Sequence, residues 1–266
     1  GIRTVRVGPR RIRVFPADDP KGICIFIHGG GWTIGGYDEQ DRDLLKLAQR
    51  TNQTVCSLDY RLLALSPENK YPAAPNDCEV LSDYILSNAY EIEPRLTEDT
   101  FTICGNSAGA QLAMVVLLRL RDRYQRCPFA RASFFYGGFV PQETTPQCGT
   151  CKVHDKTVGP VYTPGKDYRF LTKKLYQRFQ RAYSTDYLNP EINLTLADMR
   201  HLCPGQFIVG TEDLLLRCNV AVYNQWRFFE NDGELKVFKG QPHGFANFPT
   251  PSGREAASLR ADYLRL

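Results

Sequence analysis

The stretch Gly105-Asn106-Ser107-Ala108-Gly109 constrains this chain more than any other. It joins a short apolar run, Phe101-Thr102-Ile103-Cys104, to a longer one carrying Leu112, Val115, Val116 and Leu120 at helical spacing. Strand, tight turn and helix thus follow one another, and the turn reads G-x-S-x-G. A side chain at either glycine would collide across such a turn. The serine is expected to open the helix, with its hydroxyl projecting outward and the helix N-terminus behind it, where developing negative charge is favoured. The five-residue pattern also occurs in ordinary glycine-rich turns, so its chemistry depends on partners.

Three partners stand where acyl-transfer chemistry needs them. His28-Gly29-Gly30-Gly31-Trp32 directly follows the apolar strand Ile23-Cys24-Ile25-Phe26-Ile27. Consecutive glycines let backbone N–H groups face a cavity unobstructed, and with the N–H of Ala108 they can hold the oxyanion of a tetrahedral intermediate. A carboxylate comes next. Phe207-Ile208-Val209-Gly210 reads as a buried strand, followed by Thr211-Glu212-Asp213. Adjacent acids point in different directions, so one of the two serves; Asp213 is preferred, with Glu212 the weaker candidate. The third partner is His243, on a loop after the strand Leu235-Lys236-Val237-Phe238. Of the other histidines, His28 belongs to the glycine loop, and His154 and His201 follow no strand end. The chain order Ser107, Asp213, His243 is that of the α/β-hydrolases.

These residues resemble the hormone-sensitive-lipase-like branch of the α/β-hydrolases, which includes arylacetamide deacetylases and many microbial carboxylesterases. The resemblance covers nearly the whole chain. It extends to Asp59-Tyr60-Arg61-Leu62, to the stretch from Ser66 to Ala74, and to Leu188-Asn189-Pro190. It implies Ser107 as nucleophile, His243 as base, Asp213 as its orienter, and Gly30, Gly31 and Ala108 as oxyanion donors. Trp32 and Asn106 are expected to line the substrate pocket. No metal or organic cofactor is implied. The expected reaction is hydrolysis of carboxylic esters with short acyl chains through an acyl-enzyme. An amidase or formamidase on the same triad is the alternative. A ligand receptor on this scaffold, as in the gibberellin receptors, is disfavoured because those lack the histidine that His243 supplies.

Some positions depart from the family pattern. Asn106 stands where an acid usually precedes the serine, Ala110 replaces a frequent glycine, and Arg217 and Cys218 replace acidic residues after the catalytic Asp. None removes a reacting group. Family members usually carry an N-terminal helical cap, whereas this chain opens almost at once with strand-like Thr4-Val5-Arg6-Val7; the cap is either missing or precedes the first residue given.

Composition fits a globular enzyme. The chain has 266 residues, 42% of them hydrophobic, and a mean hydropathy of -0.36. That length supports one large α/β domain. No apolar run is long enough to span a membrane. A net charge of +4 is too mild to argue for nucleic acid. The expected partner is a small-molecule ester, and a homodimer is compatible with the sequence. Arg11 and Arg13 alternate with Ile12 and Val14, as on the wet face of an edge strand.

Nine cysteines are present. Cys24, Cys56 and Cys104 fall inside apolar strands and are expected to act as small buried hydrophobes. Cys148 and Cys151 form a CxxC with His154 nearby; lacking a fourth ligand it reads as a local disulfide or plain loop cysteines, not zinc. The odd total favours a reducing compartment, hence the cytoplasm.

Strands are expected at 3–7, 11–15, 22–28, 53–59, 101–105, 131–136, 205–210 and 234–239, and helices at 38–50, 73–87, 107–123, 217–231 and 253–265. This alternation predicts an α/β-hydrolase fold: a mostly parallel eight-stranded sheet with helices on both faces, residues 1–266 forming one domain. Residues 138–200 break the alternation and are expected to form a cap insertion. Within it, Tyr168 to Ala182 reads as an amphipathic helix with Tyr168, Leu171, Leu175 and Phe179 on one face.

Overall fold

The central strands of the sheet are covered on both faces. Every residue of β3 (Gly22–Ile27), β4 (Gln53–Leu58) and β5 (Phe101–Asn106) is buried. The computed structural model describes residues 1–141 and 170–266. Among them, β1 (Arg3–Val7), β2 (Arg10–Phe15), β3, β4, β5, β6 (Arg131–Phe135), β7 (Gly205–Glu212) and β8 (Gly233–Pro242) form one sheet in the order β1-β2-β4-β3-β5-β6-β7-β8. The sheet is parallel from β4 onward, and β2 runs antiparallel to both neighbours. All eight expected strands are present. Arg11 and Arg13 do face outward, but β2 is not the edge: β1 folds back onto it through Gly8 and takes that place.

The helices are α1 (Asp41–Thr51), α2 (Ala73–Ser87), α3 (Ala89–Ile92), α4 (Ala108–Tyr124), α5 (Lys173–Tyr183), α6 (Leu216–Phe228) and α7 (Pro251–Leu264). Strand alternation sorts the core. Cys24 and Phe26 of β3 pack with Leu44, Leu47 and Ala48 of α1 and Leu264 of α7. Ile23, Ile25 and Ile27 face the other way, toward Leu81 and Ile85 of α2 and Val115 of α4. Cys24, Cys56 and Cys104 are buried, as expected. Residues 108–118 of α4 are buried all round, because α2 closes over it. Burying apolar side chains contributes roughly 1.5–3 kcal/mol each before entropy is counted, so this helix is a principal anchor of the sheet.

Two helix starts fall three or more residues later than expected. Helix α1 begins at Asp41 rather than near residue 38; Asp41 and Asp43 occupy its first turn, where the dipole favours acids. Helix α5 begins at Lys173 rather than Tyr168, because the Thr172 hydroxyl accepts the Leu175 N–H at 3.2 Å and caps it there. The face of α5 that packs down carries Tyr176, Gln180 and Tyr183, one strip over from the expected stripe. Tyr176 Oη and Gln180 Nε2 both donate to the Val140 carbonyl at 3.2 Å. The Tyr71 N–H donates to the Tyr183 carbonyl at 3.0 Å. These bonds hold α5 across the C-terminal ends of the strands. Cys148, Cys151, His154 and Tyr168 lie outside the described residues. No helix of the described residues is long and apolar enough to cross a membrane.

Candidate active site

The turn after β5 holds Ser107 at φ 54° and ψ −117°, outside the helix that follows. The serine therefore precedes α4 instead of opening it. A non-glycine residue at such angles stores on the order of 1–3 kcal/mol of strain, tolerated only where surroundings fix it. Here the Ser107 N–H donates to the Phe135 carbonyl at 2.8 Å, and its carbonyl accepts from Gly138 N–H at 3.2 Å. The two motif glycines are required by crowding. A Cβ on Gly105 would stand 2.3 Å from the Gly109 carbonyl oxygen, and one on Gly109 would stand 2.1 Å from the Ile27 carbonyl oxygen.

Strand β7 ends at Glu212, and Asp213 follows it into the interior, 2% exposed. Its Oδ1 accepts the Leu215 N–H at 2.8 Å. Strand β8 rides close against β7 here, since a Cβ on Gly210 would fall 2.0 Å from the Gln241 carbonyl oxygen. That approach delivers His243 to the end of β7. His243 Nδ1 lies 2.9 Å from Asp213 Oδ2, and its Nε2 lies 2.9 Å from Ser107 Oγ. With the carboxylate ionised, Nδ1 carries the proton and Nε2 accepts from the serine hydroxyl. Tyr136, just past β6, stands edge-on to the imidazole with ring centres 4.9 Å apart.

The glycine loop faces the same space. His28 Nδ1 donates to the Gly29 carbonyl at 2.7 Å, and the Tyr60 hydroxyl donates to the His28 carbonyl at 2.9 Å. Burial lowers the His28 pKa to about 4, so the ring is a neutral strut. The Gly30 carbonyl accepts from Thr33 and Ile34 N–H at 3.1 and 3.0 Å, which turns the loop back on itself. The N–H groups of Gly30, Gly31 and Ala108 have no acceptor among the described residues.

These groups line a cavity of about 500 Å³ that also contains Ser107 and His243. Leu171, Leu175, Tyr176 and Phe179 of the α5 segment form its opposite wall. Phe179 sits directly on the glycine loop, 2.5 Å from where a Cβ on Gly31 would lie. Trp32 and Asn106 both line the cavity, but each has its polar end engaged elsewhere. Trp32 Nε1 donates to Gln111 Oε1 at 2.9 Å while the indole stacks on Tyr183 at 4.5 Å. Asn106 Oδ1 accepts from Arg260 Nη1 at 2.8 Å. Both side chains form part of the cavity wall. Among the described residues, no group of three or more His, Cys, Asp or Glu side chains is placed to hold a metal ion.

A family model described as alpha/beta hydrolase fold matches residues 24–247, most of the chain. The chain belongs to the α/β-hydrolase fold family. Several solved structures share this hydrolase architecture. One is a hyperthermophilic esterase from the archaeon Pyrobaculum calidifontis, 26% identical with TM-score 0.84, the match covering 100% of this chain and 85% of that one. Another is EstE1, a thermophilic and thermostable carboxylesterase cloned from a metagenomic library, with 23% identity, TM-score 0.81 and coverage of 100% and 87%. The Francisella virulence factor BioJ matches at 21% identity and TM-score 0.83, over 99% and 84%. The last two likenesses speak to the fold.

Two residues of this hydrolase site escape a motif reading. Tyr136 belongs to no motif, although Tyr136-Gly137-Gly138 after a buried strand marks another loop at the C-terminal end of the sheet. Arg260 looks like a solvent-facing helical arginine. Its spacing from Ala256 and Leu264, four residues each way, is the signal that it faces inward.

Proposed function

We propose that the protein is a serine hydrolase of carboxylic esters, with Ser107 as nucleophile, His243 as general base and acid, and Asp213 as the group that orients the imidazole and stabilises its charged form. The observation that carries this reading is the continuous hydrogen-bonded line from Asp213 Oδ2 through His243 to Ser107 Oγ, with both contacts at 2.9 Å. It ends beside the N–H groups of Gly30, Gly31 and Ala108, which have no acceptor among the described residues. The esterase named among the similar structures supports the choice of reaction.

The steps follow from the geometry. Ser107 Oγ attacks the ester carbonyl carbon while its proton passes to His243 Nε2. The carbonyl oxygen gains the negative charge and accepts from the three backbone N–H groups, which need no reorganisation to receive it. Collapse breaks the bond to the alcohol oxygen, and His243 returns the proton to that leaving group. Water then repeats the sequence on the acyl-serine, releasing the acid and restoring the hydroxyl. Asp213 keeps its charge throughout and stabilises the imidazolium.

The α5 segment acts as the described part of a cap over residues 138–200, excluding water and bounding the acyl pocket. A cavity of about 500 Å³ walled by aromatic rings favours short acyl chains. The test is labelling by a fluorophosphonate together with hydrolysis of p-nitrophenyl esters of increasing acyl length and a matched anilide. Labelling at Ser107, with kcat/KM highest for short esters and far lower for the anilide, is expected. Ser107→Ala should lose about 10⁴-fold or more in kcat. An unlabelled protein, or a Ser107→Ala variant that keeps most activity, would refute the proposal.

A further inference from the structure

A second cavity, of about 630 Å³, lies between α1 and α7 and shares Asn106 with the first. Its walls are apolar, formed by Leu44, Leu47, Phe135 and Ala261 among others. Its charges are one-sided. Arg42, Lys46, Arg50, Arg254 and Arg260 line it against a single lining acid, Asp43, which pairs with Lys46 at 3.4 Å, while Arg50 pairs with Asp262 at 3.5 Å.

Arg260 is the anomaly. It comes from α7, is 5% exposed, and has no carboxylate partner among the described residues. Its Nε, Nη1 and Nη2 donate one bond each, to Ser133 Oγ at 3.3 Å, Asn106 Oδ1 at 2.8 Å and the Gly105 carbonyl at 3.0 Å. The guanidinium lies over the Phe135 ring at 3.2 Å from its centre. A guanidinium has five N–H donors, so one remains on each terminal nitrogen. Burial lowers the Arg260 pKa, a sign that the charge is poorly compensated where it sits. An interior cation without a countercharge is costly. Asn106 sharpens the deficit, since an acid at that position would have neutralised the guanidinium at the same 2.8 Å contact.

We propose that this cavity binds a medium-chain carboxylate, whose head group supplies the missing countercharge to Arg260 and whose alkyl chain lies along the α1 and α7 walls. Two free N–H groups on one guanidinium match one carboxylate. The apolar walls select a chain-bearing anion over a bare inorganic one, and the cationic rim draws the anion in. The cavity adjoins the one at Ser107, the two sharing Gln40, Asn106 and Asn247 in their walls, but charge pairing at Arg260 does not depend on the reaction assigned to Ser107.

The test is calorimetric titration of decanoate into the full chain after a small fluorophosphonate has capped Ser107, or into Ser107→Ala if that reagent does not react. The first step reports on the hydrolase reading; the titration reports on the second cavity. One decanoate per chain is expected, with decanol, equally long but uncharged, binding at least tenfold more weakly. Arg260→Met should weaken decanoate at least tenfold. Ala257→Trp, made at an exposed position lining the cavity, should do the same by filling it, and serves should Arg260→Met fail to fold. Absence of saturable binding, equal affinity for decanol, or an unchanged affinity in Ala257→Trp would overturn the proposal.

Discussion

Asp213 and His243 meet through a single carboxylate oxygen: Oδ2 faces Nδ1 at 2.9 Å while Oδ1 is held by the Leu215 N–H at 2.8 Å. The carboxylate therefore cannot swing, and the imidazole inherits its orientation. Asp213→Asn keeps the shape but presents an amide, which stabilises no imidazolium and favours the wrong tautomer. It should lower kcat by about 10⁴-fold with little change in KM. Glu212→Gln, at the strand end one residue earlier, should stay within about threefold of the parent. Steady-state hydrolysis of p-nitrophenyl acetate decides, and a larger loss in Glu212→Gln would reverse the assignment.

Gly109 lies where α4 crosses the end of β3 with nothing between but main chain. A Cβ there would sit 2.1 Å from the Ile27 oxygen and 2.3 Å from the His28 oxygen. Neither atom can rotate away, so Gly109→Ala should destabilise by about 3 kcal/mol or prevent folding. Ala110→Gly, one position along the same helix, should cost only about 1 to 2 kcal/mol, from helix propensity and one lost methyl. Urea titration of both variants separates these outcomes; equal midpoints would mean the crossing is not tight.

Phe179 holds α5 off the glycine loop and walls the cavity. Phe179→Ala should enlarge the pocket and move preference toward longer acyl chains. The ratio of kcat/KM for the hexanoate over the acetate ester should rise by about fivefold or more, well within what one pocket residue supplies. An unchanged ratio would place the acyl chain elsewhere.

His28 is kept neutral by burial, with its pKa lowered from 6.5 to about 4. Unfolded, it gains a proton near pH 6.5; folded, it does not until near pH 4. Its contribution is thus complete above pH 6.5 and is lost as pH falls toward 4, at a total on the order of 3 kcal/mol. In His28→Gln the fall in stability between about pH 7 and pH 4.5 should be shallower than in the parent. Parallel curves from urea unfolding would contradict the neutral-strut reading.

The sheet was legible from sequence where strands carry apolar runs, β3 the plainest, and where arginines alternate with Ile12 and Val14 in β2. The residues at the strand ends were equally legible, since Ser107, Asp213 and His243 each follow a strand and the fold brings all three to one edge of the sheet. Conformation at the turn was less so. Helical spacing places Ser107 in the helix, whereas the Phe135 carbonyl and Gly138 N–H pull it into a strained turn. The α5 segment was the hardest to read. Its stripe of Leu171, Leu175 and Phe179 forms a cavity wall, and the contact with the body is made by Tyr176 and Tyr183, amphipathic rings that a polarity pattern counts poorly. The burial of Arg260 depends on long-range packing between α7 and β6, which residue type alone argues against.

The spacing between nucleophile loop and glycine loop is fixed by peptide atoms in van der Waals contact, not by the reach of any side chain. A ruler made of main chain does not change length when its neighbours mutate. Substitutions among the surrounding side chains can then accumulate while the gap between the Ser107 turn and the Gly29 to Gly31 loop stays as the main chain sets it.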